Sequence, residues 1–199
     1  MPGMTHTLTA PCTYQEDIKK SRFVAHATPV ATVEEAMRFF AERGDPEATH
    51  NCWAYRIGQE YRFNDDGEPG GTAGRPILQA IEGQDMDRVA VLVVRWFGGV
   101  KLGAGGLVRA YGGCAAKCLQ DAARIELVPS SRLAFACGFA EHALLKARIL
   151  ALGAGIEDEA YGAEGVDIRL SLADAKVEEL QRLLGDLSRG RIQATRLDD

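Results

Sequence analysis

Val89-Ala-Val-Leu-Val-Val-Arg-Trp-Phe-Gly-Gly-Val-Lys-Leu-Gly-Ala-Gly-Gly-Leu-Val-Arg-Ala-Tyr-Gly-Gly113 sets an unbroken aliphatic run directly before a glycine-dense segment. Residues 89–94 have no polar position, so both faces of a strand there must be covered, which places it at the centre of a sheet. Seven of the sixteen residues from Gly98 to Gly113 are glycine. A glycine inside a helix costs about 1 kcal/mol relative to alanine, so this density points to close backbone approach or to amides needed for contact. Leu107, Val108, Tyr111, Cys114, Ala115, Cys118 and Leu119 recur at helical spacing. They predict a helix over 105–123 that packs on the strand.

Upstream, residues 21–30 read as a strand. Thr32 and Glu35 are placed as a capping pair for a helix over 33–42 that ends at Gly44. A second strand spans 51–57, with Trp53 and Tyr55. Residues 58–74 read as one long loop, and a short helix over 75–81 tolerates Pro76 in its first turn. Downstream, 127–131 reads as a linker. Strands over 132–139, 155–161, 165–172 and 191–197 then alternate with helices over 141–152 and 174–187. That βαββαβ order is the ferredoxin-like unit. The expected class is α+β, in two domains, 1–129 and 130–199.

The 199 residues are 46% hydrophobic and 26% charged, ordinary for a globular protein with a self-supporting core. The net charge is −5, and 14 basic and 16 acidic residues precede residue 130 while 9 and 12 follow it. Neither half is a basic arm, which argues against a uniformly basic nucleic-acid binder and leaves room for a local patch. Cys12, Cys52, Cys114, Cys118 and Cys137 form no CxxC pair, and no secretory segment precedes them. A cytoplasmic protein with reduced thiols is expected. The longest apolar run is far below the ~20 residues that cross a bilayer, so no membrane role is expected.

The segment 98–106 has the ingredients of an anion site: glycines that can turn amides inward, a helix start, and Lys101. It departs from a Walker loop, which follows Gly-Lys with Ser or Thr, because Lys101 stands between Val100 and Leu102. Val108 likewise breaks a dinucleotide fingerprint. Glycines used only for tight helix–sheet packing are the alternative. Asp65, Asp66 and Glu68 could bind a divalent cation or move protons; equally, an Asp-Asp-Gly-Glu-Pro stretch is turn chemistry in which carboxylates bond local amides. His50 and Cys52 lie two apart on one strand face, a pairing that could lower a thiol pKa. Cys114 and Cys118, at i and i+4 on an apolar face, read as core, and no cofactor or metal is expected. Basic residues interleaved with Tyr55, Tyr61, Phe63, Trp96 and Phe97 could bind single-stranded nucleic acid by charge and stacking, or the aromatics could be core.

Lys19-Lys-Ser-Arg-Phe23, Ala48-Thr-His-Asn-Cys-Trp-Ala-Tyr55, Asp65-Asp-Gly-Glu-Pro-Gly-Gly-Thr-Ala-Gly74 with Pro76, Arg95-Trp-Phe-Gly-Gly99, and Leu102-Gly-Ala-Gly-Gly-Leu107 with Ala110-Tyr111 resemble the IMPACT family, in its bacterial two-domain YigZ branch. Where relatives often carry Tyr-Tyr or Tyr-Phe after the arginine, this chain has Trp96-Phe97. The resemblance implies an N-terminal α/β domain like the second domain of ribosomal protein S5 and a C-terminal ferredoxin-like domain similar to one in the translocating elongation factor. It also implies a link to translation, because eukaryotic relatives regulate translation by binding the activator of an amino-acid-starvation kinase.

Two functions follow as expectations. The first is a non-enzymatic binding protein that engages RNA, ribosome or a translation factor through a glycine-rich basic face, without sequence-specific DNA binding. The second is a small-molecule enzyme of phosphoryl or acyl transfer or hydrolysis, using the glycine-rich segment as an anion site and the acidic loop for metal or protons. The candidate binding residues are Asp65, Asp66, Glu68, Thr72, Gly74, Arg75, Arg95, Gly98, Gly99, Lys101, Gly105, Gly106 and Arg109. No nucleophile, base and orienting group can be assembled from the sequence, which favours the first function.

Overall fold

A computed structural model describes residues 5–198 and divides them into two compact units, one ending at Leu127 and one starting at Val128. The first unit runs β1 (Thr5–Leu8), β2 (Cys12–Ile18), β3 (Ser21–Pro29), α1 (Val33–Arg43), β4 (His50–Ile57), β5 (Glu60–Asn64), α2 (Gly74–Gly83), β6 (Val89–Trp96), α3 (Gly103–Gln120) and β7 (Arg124–Leu127). Its main sheet has the order β2-β3-β6-β4-β5, with every neighbour antiparallel. β1 and β7 pair separately.

β6 is central, and the two-sided burial expected of its aliphatic run is met by packing on both faces. Val89, Val91 and Val93 join a core with Ile77 of α2 and Leu107, Tyr111 and Cys114 of α3. Ala90, Leu92 and Val94 face the other side, with Phe40 of α1 and with Trp53 and Tyr55 of β4. Phe40 stacks on Trp53 at 4.7 Å between ring centroids. The N-cap of α1 is as the sequence predicts, with Thr32 Oγ1 accepting the Glu35 amide at 3.2 Å, whereas the reciprocal bond goes one residue further back than the Thr32 amide expected of a capping box. The Glu35 carboxylate accepts the Ala31 amide at 2.7 Å.

The sequence reading differs from the fold at the edges. β5 lies inside the expected loop 58–74; Tyr61 and Phe63 alternate there with Glu60, Arg62 and Asn64, but all five residues are exposed, so the strand buries no face. β1, β2 and β7 were also unpredicted; β2 and β7 carry mixed polar sequences typical of edges.

The second unit runs β8 (Ser130–Gly138), α4 (Phe139–Ala151), β9 (Gly155–Tyr161), β10 (Gly165–Ala173), a 3-10 turn (Asp174–Lys176), α5 (Val177–Ser188) and β11 (Thr195–Arg196). The sheet order β11-β8-β10-β9 is that of a ferredoxin-like fold. Leu133 and Phe135 of β8 and Ile168 and Leu170 of β10 alternate into a core closed by Leu145, Ile149, Leu180 and Leu184 from the two helices. The strand expected over 191–197 shortens to two residues. Its preceding chain is held instead by Gln181, whose side chain bonds the Ala194 amide and carbonyl at 3.0 and 2.7 Å.

Candidate functional site

Strand register assembles the site. Arg95 on β6 pairs with Phe23 on β3 and with His50 on β4, so three residues far apart in sequence form one row across the sheet, on the face that α3 covers. The row lies where β6 ends: the Thr49 amide donates to the Arg95 carbonyl at 2.9 Å, and the Phe97 amide donates to Thr49 Oγ1 at 3.0 Å.

The acidic loop closes over this row. Asp65 turns back into the loop, where its carboxylate accepts the amides of Gly71 at 2.9 Å, Ala73 at 3.1 Å and Gly74 at 2.9 Å. It thereby supplies the start of α2 with the acceptor that Ala73 lacks. Asp66, at φ 40°, accepts the Asn51 amide at 2.6 Å. Thr72 is buried and donates its hydroxyl to the Pro69 carbonyl at 2.5 Å. Gly74 is required by close approach, since a Cβ there would stand 2.7 Å from the Asn64 amide nitrogen. These carboxylates are turn chemistry, and among the described residues no His, Cys, Asp and Glu group has metal-binding geometry.

The loop's product is Glu68, which is only 7% exposed. Its Oε1 accepts Arg95 Nη1 at 2.5 Å and the Tyr111 hydroxyl at 2.8 Å, and lies 3.4 Å from His50 Nε2. Arg95 is itself 5% exposed, donates from Nε to Ser21 Oγ at 3.3 Å, and sits between the Phe23 and Phe97 rings. His50 Nδ1 donates to the Asp66 carbonyl at 2.7 Å, because a carbonyl can only accept. Burial pushes the Tyr111 hydroxyl up, with Cys52 and Glu68 adding to the shift, so Tyr111 stays a donor. The expectation that His50 activates Cys52 is corrected: burial pushes the Cys52 thiol up to about 12, and its sulfur donates to the Asp65 carbonyl at 3.1 Å.

Beside this lock lies a cavity of about 410 Å³. His50, Glu68 and Arg95 line it together with Phe97, Leu102, Leu107 and Lys101. Lys101 is exposed and has no ion-pair partner among the described residues. Phe97 is 46% exposed, so the mouth is apolar as well as cationic.

The remaining candidates scatter. Arg75 is exposed on α2. Arg109 lines a separate cavity of about 200 Å³ with Glu16, Lys19 and Lys117. Gly98 is where the chain passes against β3's entry, and any Cβ there would overlap the Lys20 carbonyl oxygen. Gly99 takes φ 92°, and Gly105 and Gly106 lie in the first turn of α3. Reading from the sequence missed Ser21 and Tyr111 as partners of the lock; only strand register and the helical face of Tyr111 could have signalled them.

Comparison with known proteins covers both units. The profile of the Impact N-terminal domain matches residues 19–119, and that of a domain of unknown function, DUF1949, matches residues 135–191. An IMPACT family member in the pol 5' region of Thermus thermophilus is 52% identical, over 88% of this chain and 97% of its own length. The IMPACT family member YigZ of Escherichia coli is 35% identical over 96% of each chain. A crystal structure of a hypothetical protein superposes over the whole of both chains at 34% identity, with a TM-score of 0.72.

Proposed function

The chain belongs to the IMPACT family, and from that premise we propose that it is a non-catalytic binding protein of the translation apparatus. It engages RNA, free or on the ribosome, at the mouth of the N-terminal cavity. One observation carries this reading: an exposed aromatic, Phe97, backed at 5.4 Å by the guanidinium of buried Arg95, stands at a cavity mouth it shares with the unpaired cation Lys101. An aromatic face next to a cation is the basic element of single-strand recognition, worth about 1–3 kcal/mol per stacked base. Arg95 contributes by holding the platform rather than by meeting phosphate.

The test is binding of a labelled single-stranded RNA oligonucleotide, and ribosome co-sedimentation, at two salt concentrations. Phe97→Ala weakens binding at both, while Lys101→Glu weakens it and reduces the salt slope by about 1 or more. Unchanged binding in the double variant moves the interface elsewhere.

The cavity beside His50 and Glu68 favours a second reading, a small-molecule enzyme. Against it, Glu68 is already engaged by Arg95 and Tyr111, and the thiol within reach, Cys52, stays protonated. Nucleotide and acyl-compound thermal-shift screening tests this reading, since a ligand at 100 times its Kd stabilises by about 2.7 kcal/mol.

A further inference from the structure

Cys12 on β2 and Cys118 on α3 are 106 residues apart in sequence, yet their sulfurs lie 3.7 Å from each other. The contact is reciprocal at the backbone too: Cys12 Sγ is 3.6 Å from the Cys118 carbonyl oxygen, and Cys118 Sγ is 3.8 Å from that of Cys12. Each side chain therefore lies against the other's main chain, and the sulfurs need close only from 3.7 Å to the roughly 2.05 Å of a disulfide. The five cysteines of the chain are free thiols in this structure.

The two sulfurs are not equivalent. Cys12 is half-buried on the edge strand, whereas Cys118 is 5% exposed and Cys114, one turn before it, is fully buried. A thiol hydrogen bond from Cys118 lowers the Cys12 thiol to about 7, while burial pushes Cys114 up to about 12. An accessible sulfur with thiolate character next to a second, shielded one is the arrangement of a peroxide-reactive cysteine and its resolving partner.

We propose that Cys12 and Cys118 form a hydroperoxide-reactive dithiol site, in which Cys12 is oxidised first and Cys118 resolves it to an intramolecular disulfide. The Cys12 thiolate attacks the terminal oxygen of a hydroperoxide ROOH; the O–O bond breaks, the leaving alkoxide takes a proton to become ROH, and Cys12 becomes a sulfenic acid. The Cys118 sulfur then attacks the Cys12 sulfur. The S–O bond breaks, and the departing hydroxide takes the Cys118 proton and leaves as water. Two electrons have passed from the two thiols to the peroxide, and a small dithiol reductant reverses the change. The product pins the edge strand β2 to α3.

Hydrogen peroxide added to the full chain tests this without any substitution. Intact mass should fall by two hydrogens, dithiothreitol should restore it, and non-reducing peptide mapping should recover Cys12 linked to Cys118. In Cys118→Ser, whose hydroxyl can still donate to Cys12 but cannot form a disulfide, the reaction should stop at a sulfenic acid on Cys12, trapped by dimedone. In Cys12→Ser neither product should form. A linkage that joins any other pair, or a Cys12 that stays reduced while another cysteine is oxidised, overturns the proposal.

Discussion

Arg95 shows how much one residue's meaning depends on its neighbours. By sequence it is one more cation beside aromatics; in the fold it is nearly solvent-free, bonded to Glu68 and Ser21 between two phenyl rings. Removing one member of a buried pair leaves the other charge uncompensated, a loss of about 3–5 kcal/mol. Arg95→Met should therefore lower the unfolding free energy of the N-terminal unit by that order, read as a lower denaturant midpoint, and Glu68→Gln in the same chain should recover part of it. A midpoint within error of the parent would mean that Glu68 is held without the arginine. Gly98 makes a second prediction at this scale. Because a side chain there collides with main chain rather than with a flexible tip, Gly98→Ala should destabilise the unit measurably, while the same change at Gly113, which meets nothing, should be neutral or slightly stabilising. Thermal denaturation of the two variants compares them directly.

At the scale of elements, helices and central strands were legible because burial imposes a period. Helix α1, its cap and β6 follow directly from spacing, and the alternation of β8 and β10 gives the ferredoxin-like order. The edge strands β2 and β5 do alternate, but over five to seven residues and with few fully apolar positions, so the period is faint beside turn-like neighbours. The contact between α4 and β9 adds an electrostatic device that spacing does not reveal. Glu159 accepts Lys146 Nζ at 2.5 Å, His142 Nε2 at 2.9 Å and the Tyr161 hydroxyl at 3.2 Å, and Lys146 above all holds its carboxyl below the usual range. Glu141 is lowered too, chiefly by the Gly138 amide and then by Arg191. A carboxyl whose folded pKa lies below its unfolded value of about 4.3 contributes stability above that pH and loses it as pH falls through the folded value. Urea midpoints should accordingly drop between about pH 5 and pH 3, and Glu159→Gln should make that drop shallower. An unchanged acid slope in the variant would remove Glu159 from the account.

At the scale of the whole molecule, each unit encloses its own apolar core, so neither depends on the other for burial. Both tryptophans, Trp53 and Trp96, belong to the first unit. Tryptophan fluorescence should thus follow only that unit during denaturation, whereas far-ultraviolet circular dichroism follows both. The two curves should separate, and Glu159→Gln should shift the second alone. Coincident curves in parent and variant would show a single cooperative unit.

What the sequence determined by itself is whatever rests on local period and on contiguous motif: the central strand, the helices and the N-cap of α1, the βαββαβ order, and the resemblance that the comparisons establish as family membership. What only the tertiary structure decided is which distant residues meet. Register across β3, β6 and β4 brings Phe23, Arg95 and His50 into one row, and the packing of α3 on the sheet brings Tyr111 to Glu68 and Cys118 to Cys12. A one-residue slip of a strand would send its side chains to the opposite face. That choice is made by the sum of the core contacts, and no short stretch of sequence records it.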